Sequence, residues 1–138
     1  MTEVSKVMTR HVRLARPDET LREAARAMAE HDIGSLPVGE GDRLVGMITD
    51  RDMVVRAVAQ GLEPDTRVRD VMTTQVRYCF EDEDVAEVAQ SMADLGIRRL
   101  AVLDREKRLV GIVALSNIVH YAQIGPTEVL LESVARPH

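Results

Sequence analysis

The sequence contains one internal repeat, and this repeat constrains the fold more than any other feature. The triplet Val7-Met8-Thr9 recurs as Val71-Met72-Thr73, 64 residues later. The tetrapeptide RLVG ends at Gly46 in the first copy and at Gly111 in the second, 65 residues later. Matches that recur in the same order indicate two copies of one structural unit. A unit of this size buries little surface alone, so the two copies are expected to pack together.

Each copy has the residue pattern of a strand, a helix, two strands and a second helix. The first helix of each copy follows a capping residue, Thr20 or Asp84, and ends near a glycine, Gly34 or Gly96. The predicted fold class is α/β, with two β-α-β-β-α units packed sheet to sheet around a pseudo-two-fold axis. The strands are predicted at 12–15, 36–38, 44–49, 76–80, 100–103 and 109–113, and the second helices at 50–60 and 116–123.

The apolar stripe of the first helix is predicted from its spacing to be Leu21, Ala24, Ala25 and Met28. A Pro-containing linker, GLEPDTRV, separates the two copies. The predicted division is therefore 1–62 for the first unit, 63–123 for the second, and 124–138 for a short C-terminal helix and tail that begins near Pro126.

The charge and hydropathy of the chain argue against several classes of partner. The net charge is −5 and aromatic residues make up 2% of the chain, which disfavours binding to nucleic acid. No apolar run approaches the ~20 residues of a membrane span, and the N-terminal residues do not resemble a signal peptide. The expected location is the cytoplasm.

Catalytic and metal-binding patterns are not found in the sequence. The single cysteine, Cys79, excludes an internal disulfide, and its flanks predict a buried thiol. The four histidines lack the spacing of a metal site, and no serine has the context of a catalytic nucleophile. We therefore expect a protein that is not an enzyme and that holds no metal.

The two copies differ at the junction between the last strand and the second helix. The first copy has Thr49 and Asp52, where the second has Ala114 and Asn117. A hydroxyl and a carboxylate at this spacing could share a ligand that carries a phosphate and a diol. The same Thr-x-x-Asp spacing is also a capping box, which stabilises a helix without any ligand. On the capping interpretation, Ser116 could begin the helix in the second copy.

The doubled unit resembles a tandem pair of cystathionine-β-synthase (CBS) domains, also called a Bateman module. The motifs that carry the resemblance are VMT, HDIGSLPV and RLVGMITDRDM, and it spans about residues 4–121. It implies a stand-alone small regulatory protein without catalytic activity or a required cofactor. It also implies an adenine-containing regulatory ligand (AMP, ADP, ATP or S-adenosylmethionine) in the cleft between the two units.

The family pattern Gly-h-h-Thr/Ser-x-x-Asp, where h is apolar, assigns roles to residues of this chain. By the resemblance, Thr49 would contact the phosphate, Asp52 the ribose hydroxyls, and aliphatic walls the adenine. The implied ligand-binding residues are Thr49, Asp52, Arg51, His11, Val12, Ser35, Leu36 and Pro37. A second, degenerate site would contain Val76, Arg98, Arg99, Leu100, Ala101, Ala114 and Asn117.

Two functions remain open at this point. The first is a sensor that signals to an unidentified protein target when an adenine compound binds. The second is a scaffold that acts without ligand and forms a homodimer. The Met and Val side chains of RDMVVRAVAQG and LSNIVHYAQIG would then supply its dimer interface.

Overall fold

Helices and strands follow one another along the chain nearly as the repeat predicts. The protein was analysed as a computed structural model, which describes residues 1–10 and 12–122. Both strands and helices are present in each half, so the α/β class is confirmed. The elements are α1 (Leu21–His31), β1 (Ser35–Glu40), β2 (Arg43–Thr49), α2 (Asp50–Asp52), β3 (Tyr78–Phe80), α3 (Val85–Leu95), β4 (Arg99–Leu103), β5 (Leu109–Ala114) and α4 (Leu115–Ala122).

The chain divides into two compact units that do not follow the boundaries of the repeat. One unit is the contiguous stretch Arg13–Val76, called here the 13–76 unit. The other combines Met1–Val12 with the chain from Arg77 onward, and is called here the split unit. The division predicted from the repeat, at residue 62, differs from these boundaries. The difference arises because the opening segment of each copy packs against the other copy.

In the 13–76 unit, the VMT triplet of the second copy lies against the β2 strand of the first. Met47 and Thr73 exchange two backbone hydrogen bonds, of 2.9 and 2.8 Å. A Cβ atom on Gly46 would lie 2.7 Å from the Met72 sulfur and 2.9 Å from the Thr73 carbonyl oxygen. Only glycine therefore allows this approach.

The split unit repeats this arrangement with the copies reversed. Thr9 of the first copy exchanges backbone hydrogen bonds of 2.8 and 2.9 Å with Ile112 on β5. A Cβ atom on Gly111 would lie 2.7 Å from the Thr9 carbonyl oxygen and 2.9 Å from the Met8 sulfur. In each unit, the VMT triplet of one copy therefore packs against the RLVG glycine of the other copy.

Both sheets are built on a β-hairpin. In the 13–76 unit, β1 pairs antiparallel with β2, and Ser35 lies opposite Thr49. In the split unit, β5 pairs antiparallel with β4, and β3 adds a parallel strand on the other side. The strand predicted at 12–15 is not formed. Only Ala15 pairs there, through a parallel bridge to Val38, because Pro17 follows closely and cannot donate to a ladder.

The N-termini of α1 and α3 are capped differently. The Thr20 hydroxyl accepts the Glu23 N–H at 3.1 Å, as predicted. Asp84 precedes α3 with extended backbone, but its side chain makes no capping hydrogen bond. Its carboxylate instead accepts the N–H of Thr2 at 3.4 Å, in the N-terminal segment that joins this unit. The prediction that Asp84 caps α3 is therefore wrong.

The C-termini of these helices also differ. Gly96 ends α3 with φ of 68°, as predicted. Asp32, with φ of 53°, ends α1, so the prediction for Gly34 is wrong. Aspartate tolerates the left-handed conformation, which makes a glycine unnecessary there. A Cβ atom on Gly34 would lie 2.9 Å from a carboxylate oxygen of Asp50, an exposed side chain that can rotate away.

The second helix of each copy follows its last strand without a loop. The helical run 50–60 is α-helical only over α2, then π-helical over Met53–Ala57 and 3₁₀-helical over Val58–Gln60. In the second copy, α4 begins at Leu115, the position that corresponds to Asp50. The helix start is therefore not shifted to Ser116, contrary to the capping interpretation. The helix predicted near Pro126 lies outside the described residues.

Each unit has its own apolar core. Ala25 was predicted to be buried but is exposed, and Ala27 is buried in its place. Among residues 1–10 and 12–122, no helix is long and apolar enough to cross a membrane. The core of the 13–76 unit includes Ala15, Leu21, Met28, Leu36, Val38, Ile48 and Val71, and that of the split unit Val4, Cys79, Val88, Met92, Val102, Val113 and Ile118.

Candidate functional site

Thr49 and Asp52 form a reciprocal capping box at the junction of β2 and α2. The Thr49 hydroxyl oxygen accepts the Asp52 N–H at 2.9 Å. One Asp52 carboxylate oxygen, Oδ2, accepts the Thr49 N–H at 3.1 Å. The capping interpretation of this pair is therefore confirmed. The box also fixes both side chains, so that any ligand would meet them already oriented.

Hydrogen-bonding capacity remains on both side chains after the box has formed. The Thr49 hydroxyl still has its proton to donate, because in the box it only accepts. The second Asp52 oxygen, Oδ1, has an Arg56 guanidinium nitrogen 4.0 Å away. The Asp52 side chain is mostly buried and the Arg56 side chain half-exposed. A ligand that donates hydrogen bonds to a carboxylate and accepts one from a hydroxyl would be satisfied here.

Arg56 was missed by the sequence analysis. Besides its position near Asp52, its guanidinium donates to the Met72 carbonyl at 3.3 Å and to the Thr73 hydroxyl at 3.5 Å. It therefore connects the capping box to the VMT segment of the other copy. The four-residue separation from Asp52 on a predicted helix was the signal that could have identified it.

The other residues of the 13–76 unit that were predicted to bind the ligand lie near this box. They differ in how far they are exposed and in whether their polar groups already have a hydrogen-bond partner. Ser35 is half-buried and pairs with Thr49 across the hairpin. The Leu36 side chain is fully buried in the core, and the Pro37 carbonyl already accepts the Ala15 N–H at 2.9 Å. Arg51 is exposed beside the box.

In the split unit, the second copy retains half of the capping box. The Asn117 side-chain oxygen accepts the Ala114 N–H at 2.9 Å, as Asp52 does for Thr49. Ala114 has no hydroxyl to return the bond, and Asn117 has no charge. Arg99 lies opposite Ala114 in the β4–β5 pairing and is exposed, while Leu100 and Ala101 are buried.

The position that corresponds to Gly34 is Arg98, and its carbonyl accepts the Leu115 N–H at 3.0 Å. In the first copy, the Gly34 carbonyl accepts the Asp50 N–H at 2.9 Å. The same backbone hydrogen bond thus forms in both copies. The side chains differ, because Arg98 replaces Gly34 and Leu115 replaces Asp50.

The predicted residues that flank the strands belong to different units. Val12 is part of the split unit, while Thr49 belongs to the 13–76 unit. Val76 ends the 13–76 unit, while Asn117 belongs to the split unit. His11 lies outside the described residues. Each unit therefore holds only part of each predicted site.

Arg13 and Glu19 form an ion pair in the 13–76 unit, and the pKa values of both side chains are shifted from their ordinary values. Two hydrogen bonds of 3.1 and 2.8 Å join the two side chains, and the Arg16 N–H donates to Glu19 at 2.7 Å. Burial alone would raise the pKa of Glu19, but the hydrogen bonds from Arg13 and Arg16 outweigh it and lower the pKa. This pair supports the loop before α1 and is not part of the predicted site.

The single thiol and the metal-ligating side chains of the described residues are not arranged for chemistry. Burial raises the pKa of the Cys79 thiol to about 12, which leaves it protonated at neutral pH. Within residues 1–10 and 12–122, no group of three or more His, Cys, Asp or Glu side chains could hold a metal ion.

Comparison with known proteins agrees with the doubled architecture. The CBS domain family model matches residues 4–58 and 68–123. The chain is 40% identical over 118 residues to the CBS domain-containing protein YhcV of Bacillus subtilis, covering 86% of this chain and 84% of the relative.

Solved structures give the same result. The crystal structure of Hypoxic Response Protein I, with two coordinated zinc ions, matches with a TM-score of 0.76 and 37% identity, covering 88% of this chain and 99% of that one. The CBS domain pair of protein MJ0100, in complex with 5′-methylthioadenosine and S-adenosyl-L-methionine, matches with a TM-score of 0.74 and 31% identity, covering 89% and 97%. Both copies of the repeat are covered by these matches. The chain therefore belongs to the CBS-domain family and is a tandem pair of CBS domains.

Proposed function

We propose that this CBS pair is a non-catalytic regulatory module that binds an adenine-containing ligand through Thr49 and Asp52 and signals to a protein partner. The ligand class is AMP, ADP, ATP or S-adenosylmethionine. The observation that carries the proposal is the capping box, which orients a hydroxyl whose proton is not used in the box and a carboxylate whose second oxygen, Oδ1, lies 4.0 Å from the Arg56 guanidinium and outside the box. The MJ0100 pair, 31% identical to this chain, was solved with two adenosine compounds.

The hydrogen-bonding groups of a ribose-containing ligand match the Thr49 hydroxyl and the Asp52 carboxylate. A vicinal diol can donate two hydrogen bonds to one carboxylate, and bonds to a charged acceptor are the stronger kind. The second copy offers Ala114 and the neutral Asn117 at the same positions. We expect it to bind such a ligand more weakly, so that one copy carries most of the affinity.

The test is calorimetric titration of each adenine compound into wild type, Asp52→Asn and Asp50→Asn. Asn117 shows that an asparagine oxygen can accept the capping bond, so Asp52→Asn should keep the helix start while removing the charge. We expect affinity to fall tenfold or more, which corresponds to about 1.4 kcal/mol or more. Asp50 is exposed on the same turn and should tolerate the matched change.

A 2′-deoxyribose analogue adds a second, independent measurement. If Asp52 binds the diol, the analogue should bind wild type more weakly but should bind Asp52→Asn nearly as well as the parent ligand does. Equal binding of all ligands to Asp52→Asn and wild type would contradict the assignment of Asp52. The absence of any binding to wild type would contradict the sensor function itself.

A second function, the ligand-independent dimer scaffold, is favoured by one observation. Val54 and Val58, on the helical run 50–60, are 59% and 71% exposed. In α4, Val119 occupies the position that corresponds to Val54 and is buried, so it does not add to this surface. Light scattering of wild type and Val58→Glu would test this function. We expect a dimer that the charged variant dissociates, and a wild-type monomer at micromolar concentration would argue against it.

A further inference from the structure

A cavity of about 540 Å³ opens at the tip of the β1–β2 hairpin, far from Thr49. Ser35 and Thr49 pair at one end of the hairpin, and Glu40 and Arg43 at the other. At about 3.3 Å per residue, the two ends are about 17 Å apart. The residues that line the cavity, all in the 13–76 unit, are Leu14, Arg16, Pro17, Asp18, Gly39, Glu40, Gly41 and Arg69.

The second copy shows how the same place in the repeat is filled. The Arg105 guanidinium lies 4.1 Å from the centre of the Phe80 ring. It also donates two hydrogen bonds, of 2.9 and 2.7 Å, to Asp82. Leu103, which corresponds to Gly39, is buried.

In the first copy, smaller residues at the hairpin tip leave the space open. Gly39 and Gly41 contribute no side chain, and Arg16 takes the place of the aromatic ring. A Cβ atom on Gly39 would lie 3.2 Å from a Leu14 methyl carbon.

The charges around the cavity are balanced, and two of them remain unpaired. Arg16 and Asp18 pair with each other at 3.1 Å. Arg69 and Glu40 are both exposed, and within the described part of the chain neither side chain has a hydrogen-bond or ion-pair partner. The cavity therefore offers one free cation, one free anion, and the apolar surface of Leu14 and Pro17.

We propose that this cavity binds the zwitterion of an α-amino acid with an aliphatic side chain. The carboxylate of the amino acid accepts hydrogen bonds from Arg69, its ammonium group donates to Glu40, and its side chain contacts Leu14 and Pro17. Guanidinium groups bind carboxylates well because two N–H donors match two oxygens. The cavity volume falls in the range of small-molecule sites. The site is separate from the one proposed for the adenine ligand.

The test uses NMR titration of uniformly ¹⁵N-labelled protein with L-leucine and with two analogues that each carry only one of its charges. These are 4-methylpentanoate, which lacks the amino group, and 3-methylbutylamine, which lacks the carboxylate. We expect leucine to shift the Gly39 and Gly41 amide signals with a Kd in the millimolar range. Since exposed ion pairs contribute little, each analogue should bind about two- to fivefold more weakly.

Two charge-neutralising variants and their controls complete the experiment. Arg69→Gln and Glu40→Gln should each weaken leucine binding by a similar factor. Arg26→Gln and Glu30→Gln, which remove exposed charges from α1, should leave it unchanged. Asp52→Asn should also leave it unchanged, whatever the outcome for adenine ligands. Leucine that shifts no signal of the hairpin tip would overturn the proposal. The proposal would also be overturned if the analogues bound as well as leucine does. The same holds if Arg69→Gln and Glu40→Gln bound leucine with wild-type affinity.

Discussion

Replacing Gly46 with alanine should destabilise the 13–76 unit strongly, because two segments meet at this residue without room for a side chain. The new Cβ would lie 2.7 Å from the Met72 sulfur, which can move, and 2.9 Å from the Thr73 carbonyl oxygen, which is backbone. Moving that carbonyl away breaks the two hydrogen bonds between Met47 and Thr73, of 2.9 and 2.8 Å.

The magnitude follows from three contributions. Overpacking costs about 1–3 kcal/mol, and the two lost backbone hydrogen bonds cost about 0.5–1.5 kcal/mol each. Alanine restricts the unfolded chain more than glycine does, which offsets about 0.4–1 kcal/mol of this loss. We therefore expect the free energy of unfolding to fall by about 1–6 kcal/mol, with the middle of the range at about 3 kcal/mol, a large part of the stability of a typical domain.

Urea unfolding followed by far-UV circular dichroism measures this loss, with Met72→Ala and the double variant Gly46→Ala/Met72→Ala alongside. The double variant should recover only part of the stability, because the Thr73 carbonyl still opposes the Cβ. A loss below about 1 kcal/mol for Gly46→Ala would refute the reasoning, since it would equal an ordinary surface change. Complete recovery in the double variant would show that the methionine alone fills the space.

Three further outcomes can be measured on the same protein. Glu19→Gln should remove about 1–3 kcal/mol of stability at neutral pH, because a neutral amide replaces the carboxylate that pairs with Arg13. Because the folded pKa of Glu19 is lowered, this stabilisation is present above the ordinary value of 4.5 and is lost as the pH falls below it, so the two proteins should unfold more alike in acid. Equal loss at all pH values would contradict this. Thr20→Ala should cost about 0.5–2 kcal/mol, whereas Asp84→Ala should cost less, since only Thr20 makes a capping bond to its helix; the reverse order in urea melts would contradict the caps described. Cys79 should react with a thiol reagent only after denaturation, because the thiol is buried and its pKa is about 12; rapid labelling of the folded protein would contradict its burial.

Local features were predicted well where a short pattern has one structural outcome. The hairpin strands were located to within a few residues, since apolar runs flanked a turn rich in glycine and charge. Thr20 and Gly96 were identified at their helix ends because capping depends on neighbouring residues only. Gly34 was also predicted from its neighbours, but α1 ends at Asp32, whose left-handed backbone needs no glycine. The side chain that a Cβ atom on Gly34 would meet belongs to Asp50, 16 positions away, which no local rule considers.

Features that depend on contacts between the copies could not be predicted from one sequence. The pattern VMT and the glycine of RLVG were both recognised, but their partnership crosses from one copy to the other. The helical run 50–60 and α4 have similar apolar patterns, yet Val54 is exposed and Val119, at the corresponding position, is buried. At the candidate site, the Thr49–Asp52 box was anticipated as one of two interpretations. The position of Arg56 beside it required the structure.

The exchange of opening segments gives the two units different histories as the chain leaves the ribosome. The 13–76 unit is one uninterrupted stretch, so all of its contacts become available once Val76 has emerged. The split unit must hold Met1–Val12 unpaired until the β-strand with Gly111 has been synthesised. Contacts this distant along the chain close slowly, and domains generally fold as units during synthesis. Met1–Val12 therefore completes its contacts later than the 13–76 unit does, although it is synthesised earlier.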